Sequence, residues 1–122
     1  VSHYTADEAQ AAFFVAMREA EKFAVDAGRA EGDARAGLYR RAADAYRTAL
    51  GHVPFAKVYT RSVVAESIAA CLDKAGDADA ARAFAAEMLA RPNLTPNARA
   101  SLVHHLTPYL DPTPEPPCEP SP

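Results

Sequence analysis

The side chains able to carry chemistry in this chain are few, and their spacing keeps them apart. His104 and His105 are adjacent. On a helix, neighbours point about 100° apart, so the two cannot clasp one metal ion as an i,i+4 pair does. Ser62, Ser67, Ser101 and Cys71 have no base beside them in the sequence. HExxH, CxxC, GxGxxG, the P-loop and GxSxG are absent. The sequence therefore predicts a chain that is not an enzyme and takes no metal or cofactor, unless the fold assembles a triad from distant positions. Two cysteines make no disulfide framework. Cys71 falls on the apolar side of a predicted helix, as an inert core thiol would, and Cys118 lies among prolines. A reduced, cytoplasmic setting is the expectation.

Composition says what must position these residues. Alanine is the commonest residue, glycine is scarce and tryptophan is absent. Alanine loses no side-chain entropy in a helix, and the β-branched residues fall mostly singly, so an all-α class is expected. The net charge of −3 resides in the last twelve residues, where Asp111, Glu115 and Glu119 stand with no base. The rest is formally neutral, which gives no electrostatic case for nucleic acid or an anionic membrane. Arg35, Arg40, Arg41 and Arg47 form the one basic block. It is expected as a solvated face with Arg40 and Asp44 paired at i,i+4. No apolar run approaches the ~18 residues of a membrane span, and no signal-peptide pattern opens the sequence.

Punctuation divides the chain into five helices. Thr5-Ala6-Asp7-Glu8 is a capping box, opening a helix over 6–27 that stops at Gly28. Asp33 is placed to cap a second, 33–50, before Gly51. Pro54 opens a third, 55–75, stopped by Gly76. Asp77 caps a fourth, 78–90, which meets Pro92. Thr95-Pro96, a cap followed by proline at the first helical position, opens a fifth over 96–110. Residues 1–110 thus form one helical domain. Residues 111–122 form a proline-rich acidic tail, predicted to be extended or disordered. Its Pro114-x-x-Pro117 and Pro117-x-x-Pro120 spacings suit aromatic proline-binding grooves, although their flanks are acidic where such ligands commonly carry bases.

A repeat runs through the first four helices. Ala42-x3-Tyr46 is followed by Pro54, and Ala80-x3-Phe84 is followed by Pro92 at the same offset. Upstream stand Ala16-x3-Ala20-x2-Phe23 and Ala65-x2-Ile68-Ala69-x2-Leu72-x3-Gly76-Asp77. These residues resemble the tetratricopeptide repeat (TPR), whose signature is W-x2-L-G-x2-Y in one helix, then A-x3-F and P around the next. The resemblance spans residues 13–94. It departs from the family at Ala16 and Ala65, which replace the tryptophan, and near Gly28 to Gly37, where about ten residues are added. It implies antiparallel helix pairs in a TPR-like superhelix of two repeats, with the fifth helix as the C-terminal cap.

In the resembled family the first helix of each pair lines a concave groove for peptides or partner helices. Register carries this onto Phe14, Met17, Glu21 and Ala24 of the first helix and Val63, Glu66, Ala70 and Asp73 of the third. The family's basic carboxylate clamp has no Lys, Arg or Asn at the matching positions, so an acid-edged groove for a neutral or basic amphipathic segment is implied. The residues point the same way without the family. Beyond the face of Phe13, Ala16, Ala20, Phe23 and Ala27, the first helix has a second apolar face in Phe14, Met17 and Val25. A second apolar face needs cover from a loop or the fifth helix, from a partner, or from a copy of the chain. The function expected is a protein-interaction adaptor or chaperone-like module. A homo-oligomerising structural domain, here a homodimer, and a small regulatory subunit of an enzyme are the alternatives.

Overall fold

Alanine placement decides which face of each helix turns inward. The computed structural model describes residues 6–106, and α1 (Ala6–Gly28), α2 (Gly32–Leu50), α3 (Val58–Lys74), α4 (Ala78–Leu89) and α5 (Pro96–Leu106) are its elements. No strand occurs among the described residues. Ala16, Ala20 and Ala27 are buried on α1, and Ala42, Ala43, Ala45 and Ala49 on α2. Side chains this small let α1 and α2 lie close along their length. Each helix packs on the next, and α5 returns to lie against α3. Short connections make successive helices antiparallel neighbours. Phe84, Ile68, Met88, Leu102 and Val64 are the largest fully buried side chains, so the core is centred on α3, α4 and α5. The described residues form an all-helical bundle of five packed helices.

The helix ends follow local chemistry in most places. At the end of α3 the Asp77 N–H donates to the Leu72 carbonyl and the Gly76 N–H to that of Asp73. With Gly76 at φ +79°, this is a Schellman stop. Asp77 then caps α4 by accepting from the Ala80 N–H at 3.2 Å. Thr95 caps α5 in the same way, its Oγ1 accepting from the Ala98 N–H at 3.1 Å.

Two ends differ from the sequence expectation. Asp33 lies inside α2 rather than capping it; Glu31 precedes the helix without a side-chain cap, and Gly32, at φ +61°, swings the chain in. The third helix begins at Val58 and not near 55. Residues 51–57 are spent on turns, with His52 N–H bonded to the Ala49 carbonyl, Val53 N–H to Leu50 and Lys57 N–H to Pro54.

The arginines of α2 also behave differently from a self-contained face. Arg40 lies 3.9 Å from Asp77 rather than pairing with Asp44. Arg47 reaches Glu87 at 3.7 Å and lies over the Phe84 ring, 4.8 Å from its centroid. Arg40 and Arg47 therefore lean onto the cap and body of α4, which offer carboxylates and a ring face. Cys71 is buried. The Thr5 capping box, the extension of the fifth helix to 110, the 111–122 tail and Cys118 lie outside the described residues.

Candidate functional site

The outer side of α1 carries apolar surface that the other described residues leave uncovered, Phe14, Val15 and Val25 among it. Phe13 packs against the core, whereas Phe14 is 53% exposed. Their rings meet edge to face, with centroids 5.4 Å apart and planes at 64°. Two recesses flank this pair. One, of about 310 Å³, lies between the start of α1 and the α2–α3 turn, with Gln10, Val53, Pro54, Lys57 and Thr60 around the rings. The other, of about 370 Å³, runs along α1 past Met17, Arg18 and Glu21. Phe13 and Phe14 line both recesses.

The wall of the first recess is held from behind. Arg61, buried at the start of α3, donates from Nη1 to the Val53 carbonyl at 3.4 Å, and its guanidinium lies 5.2 Å from the Phe55 ring centroid. Asn93, in the α4–α5 turn, donates from Nδ2 to the Phe55 carbonyl at 3.0 Å. Nearby, Ser62 Oγ accepts from the Thr95 N–H at 2.9 Å. Arg61 Nε and Asn93 Oδ1 are buried with no partner among the described residues, as fits a place for ordered water. Burial, followed by the nearby charge of Arg91, lowers the Arg61 pKa from its ordinary value. These contacts fix Val53 and Pro54 opposite Phe13, which is how a turn becomes one side of a recess.

The residues assigned by register divide into two groups. Phe14, Met17 and Glu21 come together around the second recess. Met17 and Ala24 also pack against the core, so they are less free than groove positions would be. On α3, Val63 is 39% exposed, Asp73 is exposed, and Glu66 and Ala70 are half-buried. None of these four lines either recess. The edge is mixed rather than acidic, since Arg18 stands beside Glu21 and Lys57 marks the far end.

Sequence reasoning missed the turn residues His52, Pro54 and Lys57, which no helical period could assign to a face. It also missed Tyr59, 75% exposed, and Phe55, 57% exposed. Tyr59 had a readable signal: with Val63 and Ala70 it lies opposite Ala65, Ile68 and Leu72 on the α3 wheel.

Chemically this surface offers apolar contact and hydrogen bonds. No group of three His, Cys, Asp or Glu side chains able to hold a metal occurs among the described residues, and His104 is exposed beside a half-buried His105. Burial raises the Cys71 thiol pKa, with Lys74 opposing, and moves the thiol away from the reactive thiolate. No helix among the described residues is long and apolar enough to cross a membrane. Comparison of the chain with protein families, with curated proteins and with solved structures gives no match in any of the three.

Proposed function

We propose that the chain is a protein-interaction module, an adaptor or chaperone-like unit built from TPR-like helix pairs. It holds a partner peptide or helix against the outer side of α1 and the exposed face of α3. The observation that carries this reading is the Phe13–Phe14 pair, one ring packed on the core and the other presented to solvent, with both lining two recesses. An exposed aromatic whose neighbour is fixed by packing meets a ligand at low entropic cost. Tyr59, Val63 and Ala70 extend apolar surface along α3, and Glu66 and Asp73 provide polar edges. Such a surface suits an amphipathic segment that places apolar anchors at helical spacing.

The same exposure of Phe14 and Val25 supports a second reading, in which the face packs on a copy of itself. Sedimentation velocity over a broad concentration range separates the two. The docking reading expects a monomer, unchanged by Phe14→Asp with Met17→Asp. A dimer that dissociates in that double variant would establish self-association instead.

A further inference from the structure

Two stretches of the chain that hold bases and no acid meet at the start of α3. Residues 48–65 contain Lys57 and Arg61, residues 88–106 contain Arg91 and Arg99, and neither stretch contains an Asp or Glu. They are joined by Asn93, whose Nδ2 donates to the Phe55 carbonyl, 38 positions away, at 3.0 Å. The bond from the Thr95 N–H to Ser62 Oγ at 2.9 Å, and the packing of α5 on α3, hold them side by side. Glu87, just before the second stretch, is shared by two arginines, 3.7 Å from Arg47 and 3.7 Å from Arg91. Asp7 and Glu8, in the first turn of α1, do not line the recess that this helix shares with Lys57. Among the described residues no carboxylate pairs with Lys57 or Arg61.

Arg61 adds a charge that the bundle itself leaves uncompensated. It is buried, its guanidinium lies against the Phe55 ring, and its Nε has no partner among the described residues. A buried cation without a counter-ion attracts a nearby carboxylate more strongly than a solvated cation does. Phe55 and Tyr59, at this same end of α3, are both more than half exposed. Exposed rings among cations fit a ligand that carries acids beside an apolar or aromatic anchor. Lys57 and Arg91 are the exposed cations, whereas Arg99 is spent on the Arg91 and Leu89 carbonyls. Two are too few to track a phosphate backbone, which takes about 6–10 contacts, or to hold an anionic membrane, which takes about 4–8 bases. We propose that the start of α3 and the α4–α5 turn dock an acidic segment of a partner protein. Its apolar anchor rests on Phe55 and Tyr59, and its carboxylates meet Lys57 and Arg91. The site shares Tyr59 with the face proposed above but does not depend on Phe14.

The probe is the peptide acetyl-Glu-Asp-Phe-Glu-Asp-Leu-Glu-amide, titrated into the isotope-labelled full chain and followed by NMR. Its controls are the same peptide with lysine for every acid, and a single-stranded oligothymidine. The expected result is a shift of the Phe55, Lys57, Tyr59, Arg91 and Asn93 amides. Binding weakens about tenfold in Tyr59→Ser, and about tenfold in Lys57→Glu combined with Arg91→Glu. High salt weakens it as well. The three replaced side chains are exposed, and the remaining amides in the same spectra report that the fold is kept. Phe14→Ala leaves the affinity unchanged, so this site and the α1 face fail separately. Equal binding of the lysine peptide, oligothymidine that binds as tightly as the acidic peptide, or shifts confined to other helices overturns the proposal. So does an acidic peptide that shifts nothing at millimolar concentration. Movement of these amides when the chain alone is diluted also overturns it, because a second copy is then the occupant.

Discussion

Phe13 and Phe14 are consecutive in sequence yet differ in surroundings, the first packed on the core and the second more than half exposed, with their rings edge to face at 5.4 Å. The first ring fixes the helix and the second offers a surface. The two positions should therefore separate stability from binding. Phe14→Asp should change stability by no more than about 0.5 kcal/mol, as exposed substitutions do. Phe13→Ala should cost roughly 2 kcal/mol, less than a fully buried phenylalanine because part of the ring is already wet. Urea denaturation checks both. Equal losses would mean that Phe14 is structural.

The small residues at repeat-equivalent places make a second test. Ala20 and Ala69 are both fully buried, Ala20 on α1 and Ala69 on α3. Ala20→Leu and Ala69→Leu should each destabilise by roughly 1–3 kcal/mol through overpacking. A neutral result at either position, read from the thermal midpoint, would show that the close approach is not needed there.

Two glycines should respond with opposite signs. Gly76 sits at φ +79° in the α3 stop, where an added Cβ meets no neighbour but L residues are strained. Gly76→Ala should cost about 1 kcal/mol from backbone conformation alone. Gly37 lies within α2, and nothing stands within 4 Å of a Cβ there. Gly37→Ala should stabilise by about 0.5–1 kcal/mol. Chemical denaturation of the two variants side by side checks the signs.

Much of this architecture was legible because helix ends are local chemistry. Gly76-Asp77 and Thr95-Pro96 each satisfy their own neighbours' amides and carbonyls, so the α3–α4 and α4–α5 junctions could be read residue by residue. The start of α3 could not. Pro54 has the form of a first-turn residue, but Asn93, 38 positions away, holds the Phe55 carbonyl and keeps the segment in turns. Arg40 has the same lesson: a pairing rule within α2 favoured Asp44, and Asp77, the cap of α4, took its place. Phe14 and Met17 were readable as part of a second apolar face, a periodic signal, and Glu21 from the register of the resemblance; their common recess is what the fold adds. The other recess draws on His52, Pro54 and Lys57, which meet α1 only through the fold.

Stability should depend on alkaline pH. Burial, opposed by Lys74, raises the Cys71 thiol pKa; burial, with Cys71 and Glu21 adding, raises that of Tyr46. The unfolded chain ionises its thiols near pH ~8.5 and its phenols near ~10. Above those values the folded state retains more protons than the unfolded one. Stability is therefore full below about pH 8.5 and falls as pH rises through the two folded values. Urea midpoints from neutral pH to about 10.5 should show the decline, with Cys71→Ala removing its earlier part and Tyr46→Phe its later part.

The central claim is that the face around Phe14 takes a segment of another protein. A peptide library panned against the full chain, with counter-selection on Phe14→Asp, tests it most directly when the enriched peptides are followed by NMR. The account predicts peptides with apolar anchors that shift the amides of Phe13, Phe14, Met17 and Glu21 and bind Phe14→Asp at least tenfold more weakly, about 1.4 kcal/mol. Peptides that bind the variant equally well, or whose shifts fall on α2 and α4, would contradict it.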